Sequence, residues 1–419
     1  MNGAVLISIK SSFLIAMLAT LLLSGCATTR SVDFDVSKKD RQPLWMTSIL
    51  DYKNFADPHH PTHANNLFKV EAGLKELIQH KFQQKNKHKR AAALAQWILD
   101  ESGLGVEYDL NANLTPKQTL LQRRANCLSY TILLVTLARE LDVELQYNDV
   151  DIPSSWGQEE ETGMVFYRHV NAVYKSPRIS QVFDLAMEDY DSAYPQREIS
   201  STSAAAMFHS NLAIEALGKG DFDLALHHAK LSVSIDPENT YLWINLGVVT
   251  KRMGDLLMAE RIFKMSLSLD DLNGLASSNL ERLYRVQGRN RLADSFKKRA
   301  ERARVNNPYV QFDRAKLQFA EANFRKARGH INRAIRLHDL DPRFFELRSK
   351  INQHFKRYKP ALKDLEKAYE LAHDLEERGR YIKKVKQVAK RAEAEAEKRR
   401  RRQQQIILVE PSTIYTGNF

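Results

Sequence analysis

The sequence predicts two folded parts in one chain, an α+β domain over residues 60–200 and an all-α array of helix pairs over residues 206–375. Three observations carry this. Apolar residues keep helical spacing up to Leu141 and then alternate in short runs from Val143 to Phe183. Small residues recur every 34 positions beyond Ala225, and 419 residues exceed what one core ordinarily organises. With 43% apolar and 27% charged residues, 16 Gly and 12 Pro, the composition excludes a disordered polymer and a collagen-like fibre. A net charge of +12 points toward nucleic acid, but residues 383–402 hold ten Lys and Arg against three Glu, about +7 of the total. The rest is only mildly basic.

In chain order, the first 25 residues hold one basic residue, Lys10, and an apolar run over 13–23 that is too short to span a bilayer comfortably. That run ends in Leu23-Ser24-Gly25-Cys26, which resembles the lipobox of bacterial lipoproteins. The resemblance implies removal of residues 1–25, lipid attachment at Cys26, and, with Ala27 rather than Asp following, an outer-membrane protein facing the periplasm. Residues 26–59 then read as a tether. If Cys26 carries lipid, Cys127 is the sole remaining thiol and no internal disulfide can form. His59, His60 and His63 invite a metal reading, but Pro58, Pro61 and the lack of helical spacing favour a loop.

Residues 67–82 and 90–99 read as amphipathic helices, the first with Leu67, Val70, Leu74 and Leu77 on its apolar stripe. Thr115-Pro116 is an N-cap followed by Pro at the first helical position. Cys127 opens a further apolar helix through Ile132, Leu133, Leu137 and Leu141, and strands follow around Val143–Tyr147, His169–Val173 and Val182-Phe183.

A helix N-terminus favours a thiolate through its unpaired N–H groups and dipole. Cys127 is so placed, with His169 downstream as a base and Asp184 after the next strand to orient it. Plainer readings stand beside this one: Cys127 as a packing residue, His169 as a core histidine, and Asp184 as a turn cap with Glu188 or Asp189 in its place. Trp156, Phe166 and Tyr167 line a groove or simply pack.

Asn126-Cys127-Leu128-Ser129-Tyr130, Arg168-His169-Val170-Asn171-Ala172-Val173 and Phe183-Asp184 resemble the transglutaminase-like, papain-like cysteine fold. The resemblance implies acyl transfer: Cys127 attacks a carboxamide, His169 moves the proton, and Asp184 orients His169. Water or an amine then resolves the thioester. The oxyanion would be met by the Cys127 N–H and one further donor, with Gln122 and Asn126 as candidates.

The all-α part repeats Ala225, Ala259, Ala293, Ala327 and Ala361, with Ser232, Ser266, Ala300, Ala334 and Ala368 seven positions on. Gly220, Gly254 and Gly288 mark turns in three units, and Trp243, Leu246 and Gly247 fit the front of the second. This resembles tetratricopeptide repeats, about five of them, which implies a concave protein-binding surface. The fourth and fifth units lack the glycine. Residues 376–419 read as a basic helix and tail, either a solvated cap or an arm for acidic lipid.

Two functions follow. One is a membrane-anchored, transglutaminase-like cysteine enzyme acting on amide bonds of a protein or peptide bound through the repeats. The other is an inactive scaffold lipoprotein that assembles proteins in the cell envelope. Neither a phosphate-cradling loop nor strong metal-ligand spacing is present in the sequence, so no cofactor is expected. Nucleic acid is not expected as a partner of an exported chain, and oligomeric state is left open.

Overall fold

The protein is represented by a computed structural model that describes residues 44–52, 67–83, 86–151, 158–160, 163–165, 168–177, 179–186, 190, 194–372 and 375–409. The signal segment with Cys26, the histidines at 59, 60 and 63, the residues Trp156, Phe166, Tyr167, Glu188 and Asp189, and the last ten residues lie outside these.

Helix α1 (Leu44–Leu50) falls within the expected tether yet is folded. Met46 and Ile49 are buried, and the helix lies against the first repeat, because Trp45, Met46 and Ile49 give it an apolar face. Helix α2 (Ala72–Phe82) starts later than its stripe predicts. It buries Ile78 and Phe82 while Leu77 is exposed, so the stripe runs one position off the expected one. Helix α3 (Lys87–Leu99), capped by Asn86, buries Ala91, Leu94, Ala95 and Ile98.

Strand β1 (Glu107–Tyr108) is joined by α4 (Pro116–Gln122) to its parallel partner β2 (Arg124–Ala125). Thr115 and Gln118 close a capping box at the start of α4, and Arg123 reverses the chain at its end in the left-handed conformation, φ 53°. Helix α5 (Cys127–Arg139) is buried without interruption from Leu128 to Ala138. It packs on strand β6 of the four-stranded antiparallel sheet β7-β6-β3-β8, made of β3 (Gln146–Val150), β6 (His169–Lys175), β7 (Ser180–Phe183) and β8 (Gln196–Ile199). Val150 pairs with His169 and Asn148 with Asn171. Between β3 and β6, strands β4 (Gln158–Glu160) and β5 (Gly163–Val165) form an antiparallel hairpin.

Five antiparallel helix pairs follow: α6 (Ser201–Gly218) with α7 (Phe222–Ile235), α8 (Thr240–Arg252) with α9 (Leu256–Leu269), α10 (Gly274–Val286) with α11 (Asn290–Val305), α12 (Pro308–Ala320) with α13 (Phe324–Leu337), and α14 (Pro342–His354) with α15 (Tyr358–Leu371). The chain is therefore a helical repeat solenoid over this half. The recurring alanines at 225, 259, 293, 327 and 361 are all fully buried, each on the second helix of its pair, where only a small side chain lets two helices approach. A Cβ on Gly247 would stand 2.5 Å from the Phe263 ring of the partner helix.

Gly220, Gly254 and Gly288 turn each hairpin with φ of 78°, 89° and 70°. The fourth and fifth pairs keep the turn without glycine. Ala322 and Lys356, at the equivalent positions, take φ of 59° and 55°. Packing of the flanking helices outweighs a local cost of about 1–2 kcal/mol at each.

One apolar cluster runs from Met46 to Ala293, so the α+β unit and the first repeats share a core. Helix α16 (Leu375–Val409) packs Tyr381 and Val388 on the last pair and leaves the basic run 398–402 exposed. Among the described residues no helix is long and apolar enough to cross a membrane.

Candidate cysteine site

Cys127 is the first residue of α5, and Asn126 caps that helix by accepting the Ser129 N–H at 2.8 Å. The chain enters β6 at His169, where α5 meets the sheet, and Asp184 follows the last residue of β7, the strand paired to β6. One ligand-type atom from each of Cys127, His169 and Asp184 lies within 4.8 Å of the others. His169 is largely buried and Asp184 is buried, while Cys127 is half-buried.

The contacts form a compact cluster. His169 Nε2 donates to Asp184 Oδ2 at 2.6 Å, and the Cys127 sulfur lies within 4.8 Å of both the ring and the carboxylate. Asp184 is itself fixed: Oδ2 also accepts from Asn171 Nδ2 at 3.0 Å, and Oδ1 accepts the Ala186 N–H at 2.9 Å. Burial pulls the His169 pKa down, but its hydrogen bonds to Asp184 and Cys127, and attraction to both, prevail and push it up to about 10. The site therefore favours an imidazolium at neutral pH. Burial, aided by the Asp184 charge, holds the neighbouring Tyr130 phenol neutral well above the usual tyrosine range.

Asn171 is a positioning residue that reading by residue type passed over. It stands two residues after His169, so the period of a strand places both on one face. Thr131, one turn along α5, ties the helix to β6 by donating to the carbonyl of Val170 at 3.0 Å.

The two oxyanion candidates have partners of their own. Gln122 is exposed, and its Oε1 accepts from Arg124 Nη2 at 3.3 Å. Asn126 spends its carbonyl on the helix cap and directs its Nδ2 to Asn113 at 3.5 Å. Backbone N–H groups of the first turn of α5, Cys127 among them, remain as donors.

Next to His169, Arg168 is nearly buried and donates through Nε to Asp149 Oδ1 at 2.5 Å, while Arg197 Nε reaches Asp149 Oδ2 at 3.1 Å. The Arg168 guanidinium lies 4.9 Å from the Tyr241 ring centroid at the start of α8. A cleft of about 340 Å³ opens there between sheet and solenoid, lined by Asp151, Arg168, Gln196, Tyr241 and Asp270 among others. Strand β5 lies against α8 and α10, the first helices of two successive repeats.

A metal ion would compete with existing bonds. Cys127, His169 and Asp184 are close enough to share one, but His169 and Asp184 already face each other at 2.6 Å and the same carboxylate oxygen accepts from Asn171. A thiol, an imidazole and a carboxylate gathered this closely suit proton transfer to and from a nucleophile.

No protein family and no curated protein matches this chain. Among solved structures, the chain is similar to TTC0263, a thermophilic tetratricopeptide-repeat protein of Thermus thermophilus, at 20% identity and a TM-score of 0.23, over 42% of this chain and 97% of that one. A MamA protein matches at 19% identity and a TM-score of 0.23, over 41% and 93% of the two chains. Pseudomonas aeruginosa PilF matches at 14% identity and a TM-score of 0.24, over 48% and 93%. The solenoid assignment rests on this chain's own 34-residue period and five hairpins.

Proposed function

We propose that this chain is a transglutaminase-like cysteine acyl-transferase or amidase whose repeat array holds its protein or peptide substrate. The observation that carries the reading is the close cluster of Cys127, His169 and Asp184 at a helix N-terminus. Cys127 Sγ attacks the amide carbon and forms a thioester. His169 returns the proton to the departing amine, and the backbone N–H groups opening α5 meet the oxyanion. Asp184 fixes the His169 ring through its hydrogen bond with Nε2, and Asn171 keeps Asp184 in place. Lipid attachment at Cys26 belongs to the same proposal, on the strength of Leu23-Ser24-Gly25-Cys26 alone, and would hold the site at a membrane surface of the cell envelope.

Intact-mass analysis after incubation with glutamine-containing peptides tests it. A thioester adduct on the wild type, absent from Cys127→Ala, is the expected result; no adduct and no product from any peptide overturns it.

A second reading makes the solenoid the working part. It is favoured by the size of the array, five helix pairs against one small α+β unit. Cys127→Ala is then silent, while bulk introduced beside Asn245 abolishes capture of a protein partner.

A further inference from the structure

The fifth repeat differs from the second and third at two core positions, where the fourth also holds polar residues, Arg314 and His330. In the second repeat Leu246 and Ile262 are both buried apolar residues, and the third repeat has Leu280 and Phe296 at the same positions, with Leu280 fully buried. In the fifth repeat those positions hold Arg348 and Asp364. Arg348 Nε and Nη2 donate to Asp364 Oδ1 at 3.0 and 2.6 Å, Asn352 Nδ2 donates to Asp364 Oδ2 at 2.9 Å, and Asp364 is buried. Exchanging an apolar pair for a buried ion pair is rarely a gain in stability, because both charges leave water. It does fix a guanidinium in one orientation.

That guanidinium lines a recess of about 470 Å³, together with Arg328, Arg357 and Lys363. Four cationic groups from α13, α14, the turn before α15, and α15 itself therefore surround one carboxylate, which Arg348 and Asn352 already occupy. Among the described residues no ion pair engages Arg328, Arg357 or Lys363. Arg357 and Lys363 are exposed at the rim, while the Arg328 guanidinium rests 5.4 Å from the Phe355 ring centroid. Like charges gathered on a concave, partly desolvated wall raise a local positive potential that an anion relieves. Guanidinium forks match the paired oxygens of a phosphate group.

We propose that this recess is an anion site for the phosphate group of a ligand carrying two or more negative charges. Its volume leaves room beyond one phosphate for a second phosphate or an ester substituent. The basic helix α16 passes beside the same turn, with Arg391 donating to Gln353 and Lys356 paired to Glu395, so the positive surface continues past the rim. The phosphate belongs either to a soluble ester or to a lipid headgroup, and the chemistry of recognition is the same.

The test is calorimetric titration of the full chain with pyrophosphate, beside Arg357→Gln/Lys363→Gln, Arg348→Leu/Asp364→Ile, and Lys219→Gln as a distant exposed control. The Arg348→Leu/Asp364→Ile variant installs the pair found in the second repeat, so it is expected to melt no lower than the wild type. Saturable binding weakened by at least about tenfold in both double variants, and unchanged in the control, is expected. Absence of saturable binding, binding by both double variants like the wild type, or equal loss in the control overturns the site. Flotation with phosphatidylcholine vesicles, with and without phosphatidic acid, identifies the source. Capture that needs both phosphatidic acid and the recess cations assigns a lipid phosphate, and pyrophosphate binding without capture assigns a soluble ester.

Discussion

Replacing Asp184 by Asn preserves shape and removes the charge that orients His169. Burial lowers the pKa of that ring, yet the hydrogen bonds and charges of Asp184 and Cys127 carry it from 6.5 to about 10. That difference represents about 5 kcal/mol of preference for the imidazolium, at about 1.4 kcal/mol per pH unit. Asp184 supplies both a hydrogen bond at 2.6 Å and a negative charge, so without it the His169 midpoint falls by about two pH units or more. The sign is fixed by linkage. Below about 6.5 the ring is protonated whether folded or unfolded, and the stabilisation is complete; it is lost as pH rises through about 10. The melting-temperature advantage of wild type over Asp184→Asn is therefore largest near pH 6 and shrinks toward pH 10, with the thiol present in both proteins. Melting curves across this range, with the His169 ring carbon followed by NMR, measure it. Parallel curves and an unmoved ring midpoint would refute the reasoning.

Other perturbations separate scaffold from site. Asp149→Ala leaves Arg168 nearly buried without its carboxylate, and unfolding experiments in urea should show a loss of about 3 kcal/mol or more. Gly247→Ala forces the Phe263 ring to move, with an expected loss of about 1–3 kcal/mol by the same assay. Ala322→Gly relieves a left-handed alanine at φ 59° and, after the entropy glycine adds to the unfolded chain, should stabilise by about 0.5 kcal/mol or more.

Much of this architecture was legible because its signals are local and periodic. The alanines at 34-residue intervals mark the hairpins in the sequence itself, and Thr115-Pro116 marks a helix start that the capping box closes. That Cys127, His169 and Asp184 come together was foreshadowed by residue type and order, since a thiol at a helix start and a histidine on a following strand each leave a trace. What escaped depends on contacts distant in sequence. Asn171 acquires its part only through Asp184, thirteen residues on, and the partners of Asn126, Ser129 and Asn113, are set by the fold around it. Helix α1 looked like linker because its partner is the first repeat, far along the chain. The turns at Ala322 and Lys356 carry no glycine signal because tertiary packing imposes their φ.

The most direct measurement of the central claim is the rate of iodoacetamide reaction at about pH 7.5 in the chain beginning at Ala27, where Cys127 is the only cysteine. An adjacent imidazole that takes up the thiol proton makes the sulfur a better nucleophile. Cys127 is expected to react at least about tenfold faster in the wild type than in His169→Ala. Equal rates in the two proteins would contradict the claim.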